Sequence, residues 1–284
     1  MIQRKTATDE IGRPWELVIQ QYEVERVLAE RLKSALRVER PHLYRTLYEE
    51  LLARVPHHPM APGSPYRYVR DRSVTEELEL LLPFTKPHSV VLEIGAGDLS
   101  LSRIVASRVK SVIAVDITDR YHSQDLLPSN LRFLLSDGIS LDLEPDSVDV
   151  AYSNQLLEHF HPDDTEEHIR NVARALKPGA VYICITPHRW AGPHDVSRYF
   201  DRVSTGLHLK EYTVGELMRL FGRNGFREVS VLFSIRHRYM RVPGATARVV
   251  ELIVAALPHS RLKSVIGSSV FQRLLATRVV AARR

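Results

Sequence analysis

A chain of 284 residues, 44% hydrophobic and 26% charged, has room for one large α/β domain with an appendage or for two small domains, and this balance excludes disordered and fibrous classes. The single cysteine, Cys184, excludes an internal disulfide and points to a reducing, cytoplasmic compartment. The net charge of +5 sits at one end: residues 236 to 284 hold ten Lys or Arg against one acid, Glu251, so the rest of the chain is net acidic and a nucleic-acid partner is not implied.

The N-terminus is broken by charges and lacks the apolar core of a signal peptide. Apolar residues from Val18 to Leu36, then Leu43, Leu47 and Leu51, recur at helical spacing and predict a helical N-terminal extension over 1–84. Within it, "VPHHPMAPGSP" (55–65) breaks the pattern, and a short helix begins near Val74. From residue 89 strand-like and helix-like segments alternate: "SVVLEI", "SVIAVD", "LRFLLS", "SVDVAYS" and "AVYICIT" are short β-branched apolar runs. With "FREVSVLFSI" and a last strand within 273–284, they predict a Rossmann-like α/β fold. Its seven-stranded sheet is mostly parallel, with helices on both faces and the last strand antiparallel to the sixth. The core is then 85–236, with a basic helical insert over 237–272.

The turn in "VLEIGAGDLSLS" (91–102) decides the ligand. Ligands of an open parallel sheet sit beyond the carboxyl ends of its strands. The dinucleotide fingerprint would need glycines at 95, 97 and 100, but position 100 is Ser. Glu93 ends the strand that feeds the turn and would repel a pyrophosphate while attracting an ammonium group. Asp116 ends the second strand, where a carboxylate accepts from ribose hydroxyls, and Asp137 follows the third, placed to accept from an adenine amino group. An amino-acid end, a ribose and an adenine together describe S-adenosyl-L-methionine.

With "VLEIGAGD", "VIAVD", "LLSDG", "DVAYSNQLLEHF" and "ALKPGAVYICITP" in that order, the chain resembles the class I S-adenosylmethionine-dependent methyltransferases of the broad small-molecule group. The resemblance covers roughly 85 to 235 and implies that Glu93, Gly95 and Gly97 border the methionine end. It also implies that Asp116 and Ile117 face the ribose, Asp137 and Gly138 the adenine, and that Asn154 to His159 line the cofactor and acceptor side. Leu99 departs from the pattern, standing where many relatives have a third glycine.

A hydroxyl acceptor needs a base, and histidine suits this at neutral pH. "EHFHPDD" places His159 and His161 after the fourth strand; "TPHRWAGPHDVSRYF" places His188 and His194 after the fifth. The expected catalytic residues are His194, working with Asp195, and His159. No metal site is expected, because no helical i, i+4 His pair with a carboxylate appears. The expected reaction is O-methylation of a small-molecule or glycan acceptor. The alternatives are C-methylation of a quinone-like ring and a non-catalytic S-adenosylmethionine-binding regulatory module. No Asn- or Asp-Pro-Pro-aromatic signature follows the fourth strand, which argues against a nucleic-acid substrate.

Two readings stay open for 237–272. As a cap over the acceptor pocket, or in a homodimer, it would bury Leu252, Ile253, Val265 and Ile266 and turn Arg248, Arg261 and Lys263 to solvent. As a peripheral membrane contact, it would present its basic and apolar residues to an anionic surface.

Overall fold

The computed structural model describes residues 7–61, 63–66, 71–119, 126–235, 238–257 and 277–284. Five parallel strands lead from the glycine turn onward: β1 (Val90–Ile94), β2 (Ser111–Asp116), β3 (Leu131–Leu135), β4 (Val148–Asn154) and β5 (Leu176–Thr186). With β6 (Phe226–Ile235), β7 (Arg238–Pro243) and β8 (Thr277–Arg283) they form one sheet in the order β3-β2-β1-β4-β5-β8-β6-β7. The order reverses between β1 and β4, so a crevice opens beyond their carboxyl ends. Glu93 pairs with Ala114 on one side and Tyr152 on the other, and Asp116 pairs with Leu135. The carboxyl ends of all five parallel strands therefore share one edge.

The expected seven strands become eight. The last strand is antiparallel to β6 as expected, but it enters between β5 and β6 and pairs antiparallel with both. The added strand is β7, a hairpin partner of β6 at the sheet margin, where the sequence reading had begun the helical insert. Its sequence, "RYMRVP", carries two arginines and a proline, residues that suit an edge strand and hide it from a hydrophobicity pattern.

Helices cover both faces because side chains alternate along each strand. On one face Leu92, Ile94, Val115, Tyr182 and Cys184 pack with α5 (Pro162–Ala175) and α6 (Val214–Arg223). The N-terminal helices α1 (Trp15–Ser34) and α2 (Arg40–Arg54) add Leu28, Leu32, Leu47 and Leu51 to that same cluster. On the other face Val91, Val112, Val150 and Ile183 pack with α3 (Asp71–Leu81) and α4 (Ser100–Ala106). Arg40 of α2 makes a two-pronged bond to Asp164 at the start of α5 (2.7 and 2.6 Å), and the Tyr44 hydroxyl donates to the same carboxylate at 2.8 Å. The N-terminal helices are thus bolted to the sheet's helical layer by a buried ion pair as well as by apolar contact.

In the helix after β7, α7 (Gly244–Ala255), two of the residues a cap would bury are exposed on the protomer. Leu252 and Ile253 are 52% and 61% exposed, while Gly244, Ala247, Glu251 and Val254 face inward. Glu251 sets this orientation. Its fully buried carboxylate accepts from the backbone amides of Val214 (2.6 Å) and Gly215 (3.1 Å) at the start of α6 and from Arg248 (2.6 Å). Arg248, expected to face solvent, is thereby tied inward. Val265, Ile266, Arg261 and Lys263 lie outside the described residues. Among the described residues no helix is long and apolar enough to cross a membrane.

Candidate functional site

The turn after β1 is built by two glycines in the left-handed region, Gly95 (φ +78°) and Gly97 (φ +55°), a conformation that costs a side-chain-bearing residue about 1–2 kcal/mol. It turns the backbone amides of Gly95 and Ala96 onto the Val115 carbonyl (2.8 and 3.1 Å) and that of Gly97 onto Asp116 Oδ2 at 2.7 Å. Asp116 Oδ1 accepts from the Thr118 amide at 3.1 Å. The carboxylate is thus locked in place at the end of β2. Leu99, at the position of the absent third glycine, also takes a left-handed conformation (φ 61°) and is completely buried. Glu93 is 5% exposed and accepts a hydrogen bond from Ser102 of α4.

Two strands along, Asp137 closes its own turn: Oδ1 accepts from the amides of Ile139 (2.8 Å) and Ser140 (2.7 Å). Gly138 lies against the Phe160 ring, where a Cβ would come within 3.1 Å of Cζ. Ile117, half-buried, directly follows Asp116. At the end of β4 the Asn154 side-chain amide donates to Glu77 Oε1 of α3 at 2.9 Å, which ties α3 to the same edge. Three carboxylates and side-chain-free turns at one edge suit a ligand offering ammonium, hydroxyl and amino groups. S-Adenosyl-L-methionine fits that donor set, and a pyrophosphate does not.

Beside this edge a cavity of about 640 Å³ is lined by Gln155, Thr186, His188, His194, Arg198 and Arg278 among others. The loop that forms its wall is held from outside by α1. Trp15 meets Tyr199 edge-on (5.3 Å between centroids), Tyr22 stacks on Phe200 (4.2 Å), and the Tyr22 hydroxyl donates to Asp201 at 2.8 Å.

His194 stands at the cavity wall with Nδ1 3.4 Å from Glu211 Oε1, and the same oxygen accepts from the His194 backbone amide at 2.8 Å. Burial would raise the Glu211 carboxyl, but the bonds from His194 and His208 outweigh it and hold the group at about 2. Asp195 does not partner His194. Its carboxylate turns back to cap the following 3-10 turn, accepting from the Ser197 amide (3.0 Å) and the Ser204 hydroxyl (2.7 Å). His188 donates to Glu251 Oε1 at 2.8 Å and is buried. His159 lies behind the cavity, its Nδ1 3.0 Å from both the Tyr48 hydroxyl and the Leu207 carbonyl. Burial, with His208 as a second cause, pushes it down to about 3.

Glu211, His208 and Glu77 were not singled out by sequence. Each stands far along the chain from the motif it serves, and no spacing rule connects them.

A family profile described as a methyltransferase domain matches residues 92–184. A wheat (Triticum aestivum) protein, phosphoethanolamine N-methyltransferase 1, is 30% identical over 116 residues, covering 38% of this chain and 23% of that protein. A probable S-adenosylmethionine-dependent methyltransferase of Mycolicibacterium smegmatis is 28% identical over 155 residues, covering 52% of this chain and 55% of its own length. The chain therefore spans little more than half, or much less, of these curated relatives. Among solved structures, an Archaeoglobus fulgidus S-adenosylmethionine-dependent methyltransferase superposes with a TM-score of 0.51 at 17% identity, over 75% of this chain and 95% of that one. The putative methyltransferase solved in complex with the Haloferax volcanii Trm112 activator gives 0.53 at 18%, over 75% and 91%. Likeness at that identity is likeness of fold.

Proposed function

We propose that the chain is a class I S-adenosylmethionine-dependent methyltransferase, which the profile match over residues 92–184 supports, and that it methylates a hydroxyl of a small-molecule or glycan acceptor bound in the cavity beside β4 and β5. Bound S-adenosyl-L-methionine supplies the electrophilic methyl group. The chain's own part is to hold that cofactor, to orient the acceptor and to receive its proton. Glu93, Asp116 and Asp137 serve the cofactor, with Gly95, Gly97, Ile117, Gly138 and Asn154 shaping its bed.

The observation that carries the reading is His194 on the cavity wall, with the buried Glu211 carboxylate 3.4 Å from its Nδ1. Glu211, ionised, accepts the Nδ1 proton and leaves Nε2 as the basic nitrogen facing an acceptor. A positioned base of this kind contributes about 10²- to 10⁴-fold. The oriented imidazole favours a reaction that releases a proton over a purely regulatory module, which has no need of a base. Arg198 and Arg278 at the same wall suit an acceptor with an anionic end.

Calorimetry tests the cofactor half. S-Adenosyl-L-methionine or its demethylated product should bind and NAD should not, and Asp116→Ala should weaken binding by about 1.5–3 kcal/mol, the scale of hydrogen bonds to a charged acceptor. Full affinity in that variant would remove Asp116 from the ribose. Transfer of labelled methyl to a panel of hydroxyl, amine and ring-carbon acceptors tests the other half, and label found only on carbon would overturn O-methylation.

A further inference from the structure

Behind the cavity wall lies a cluster that methyl transfer as described leaves unused. Glu158, His159 and His208 each offer one ligand atom, and the three atoms lie within 4.8 Å of one another. The Glu158 side chain has no exposure. Its Oε2 accepts from the Thr186 hydroxyl at 2.9 Å, but its Oε1 is buried without a hydrogen-bond partner. A buried carboxylate oxygen left so is costly unless a cation meets it or the group takes up a proton.

The two imidazoles are oriented to supply that meeting. The Leu207 carbonyl can only accept, so the His159 Nδ1 that lies 3.0 Å from it carries the proton and the lone pair stands on Nε2. Glu211 Oε1 does the same for His208, accepting from Nδ1 at 2.9 Å and leaving Nε2 as the donor atom. A backbone carbonyl on one ring and a carboxylate on the other is the outer-shell pattern that fixes metal-ligating histidines. The rings stand near-perpendicular, 4.8 Å between centroids and 84° apart, and so do not stack.

We propose that Glu158, His159 and His208 form a binding site for a first-row divalent transition-metal ion of the zinc class. Two imidazoles and a carboxylate suit zinc, cobalt or iron(II) better than the all-oxygen shells of magnesium or calcium. Three protein ligands leave a position for water or an acceptor oxygen. The cavity reaches the site through two of its own lining residues, since Thr186 holds Glu158 and His194 shares Glu211 with His208. The ion's binding does not depend on methyl transfer or on the acceptor's identity.

The full chain, stripped with chelator and titrated with Zn²⁺, should bind one ion per chain by calorimetry and melt at a higher temperature with zinc than without. Co²⁺ in its place should give the visible absorption of a low-symmetry nitrogen–oxygen site. Glu158→Gln and His208→Ala should each abolish stoichiometric binding, and Glu211→Gln, which keeps an accepting oxygen beside His208 but removes the carboxylate charge, should weaken it ~10- to 100-fold. His42→Ala, at an exposed histidine, should leave it unchanged. A folded wild-type chain that binds neither Zn²⁺ nor Co²⁺ overturns the site, as does zinc binding that Glu158→Gln and Glu211→Gln leave intact. Should His208→Ala fail to fold, the wild-type cobalt spectrum and the Glu211→Gln affinity decide the matter.

Discussion

At the scale of single residues, Glu211 organises the loop proposed to face the acceptor. One of its oxygens gathers the His194 amide, the His194 ring and the His208 ring. A side chain at Gly192 would press on this pair: a Cβ there would lie 2.5 Å from His194 Nδ1 and closer still to the Glu211 carboxylate. His194→Ala should therefore lower turnover at least ~10-fold, the lower part of what a positioned base contributes, while leaving cofactor affinity nearly unchanged. Gly192→Ala should do the same by displacing the pair without removing it. Steady-state rates alongside calorimetric cofactor affinity check both, and equal loss of cofactor binding would mark the loop as structural. The three acids proposed for the cofactor could be picked out in the sequence because each lies at or just past the carboxyl end of a strand, beside a glycine or a turn, where residue type and position speak together. Glu211 was not. It gains its role from a fold-back of the loop onto itself, whereas Asp195, adjacent to His194 in sequence, spends its carboxylate on capping the local backbone, as short acidic side chains do at turn starts.

At the scale of elements, the parallel strands were legible because β-branched runs alternate with helical segments, and β7 was hidden because an edge strand need not be apolar. The tail shows a subtler limit. Its one acid among ten cations reads as an incidental charge in sequence, yet in the fold Glu251 is the anchor that fastens α7 to the first turn of α6 and to His188. Burial alone would raise this carboxyl; the bonds from His188, Arg248 and the Gly215 and Val214 amides outweigh it and hold the group at about 2. A depressed carboxyl of this kind stabilises the fold fully above its ordinary value of 4.5, and the contribution is lost as pH falls from there toward about 2. Glu251→Gln should cost about 3 kcal/mol or more at neutral pH, the scale of a buried pair stripped of one partner, and should flatten the acid limb of the stability curve between those two pH values. Denaturant melts across that window check it; an acid limb identical to the wild type would assign the sensitivity to another group.

At the scale of the whole molecule, the N-terminal helices belong to the same hydrophobic cluster as β1, β4 and β5, and they brace the acceptor loop through Trp15 and Tyr22. Helical periodicity revealed their existence, but nothing in their sequence revealed that Arg40 would find Asp164 across the chain. Shared burial of this extent couples the unfolding of the parts, since opening the helices strips apolar cover from the sheet. The Arg40–Asp164 pair is almost wholly buried, with side-chain exposures of 5% and 4%, and the Tyr44 hydroxyl completes it. Asp164→Ala leaves a guanidinium buried without its counter-charge, a loss of about 3–5 kcal/mol. If the helices and sheet form one cooperative unit, that loss moves a single transition to lower denaturant, with tyrosine fluorescence and far-ultraviolet circular dichroism falling together. If the helices are an appendage, the variant instead shows an early partial transition with the sheet's own midpoint unmoved. The first outcome is expected, and with it a fall in turnover at denaturant concentrations just below the shifted midpoint, because the loop bearing His194 loses its brace only when the whole domain does.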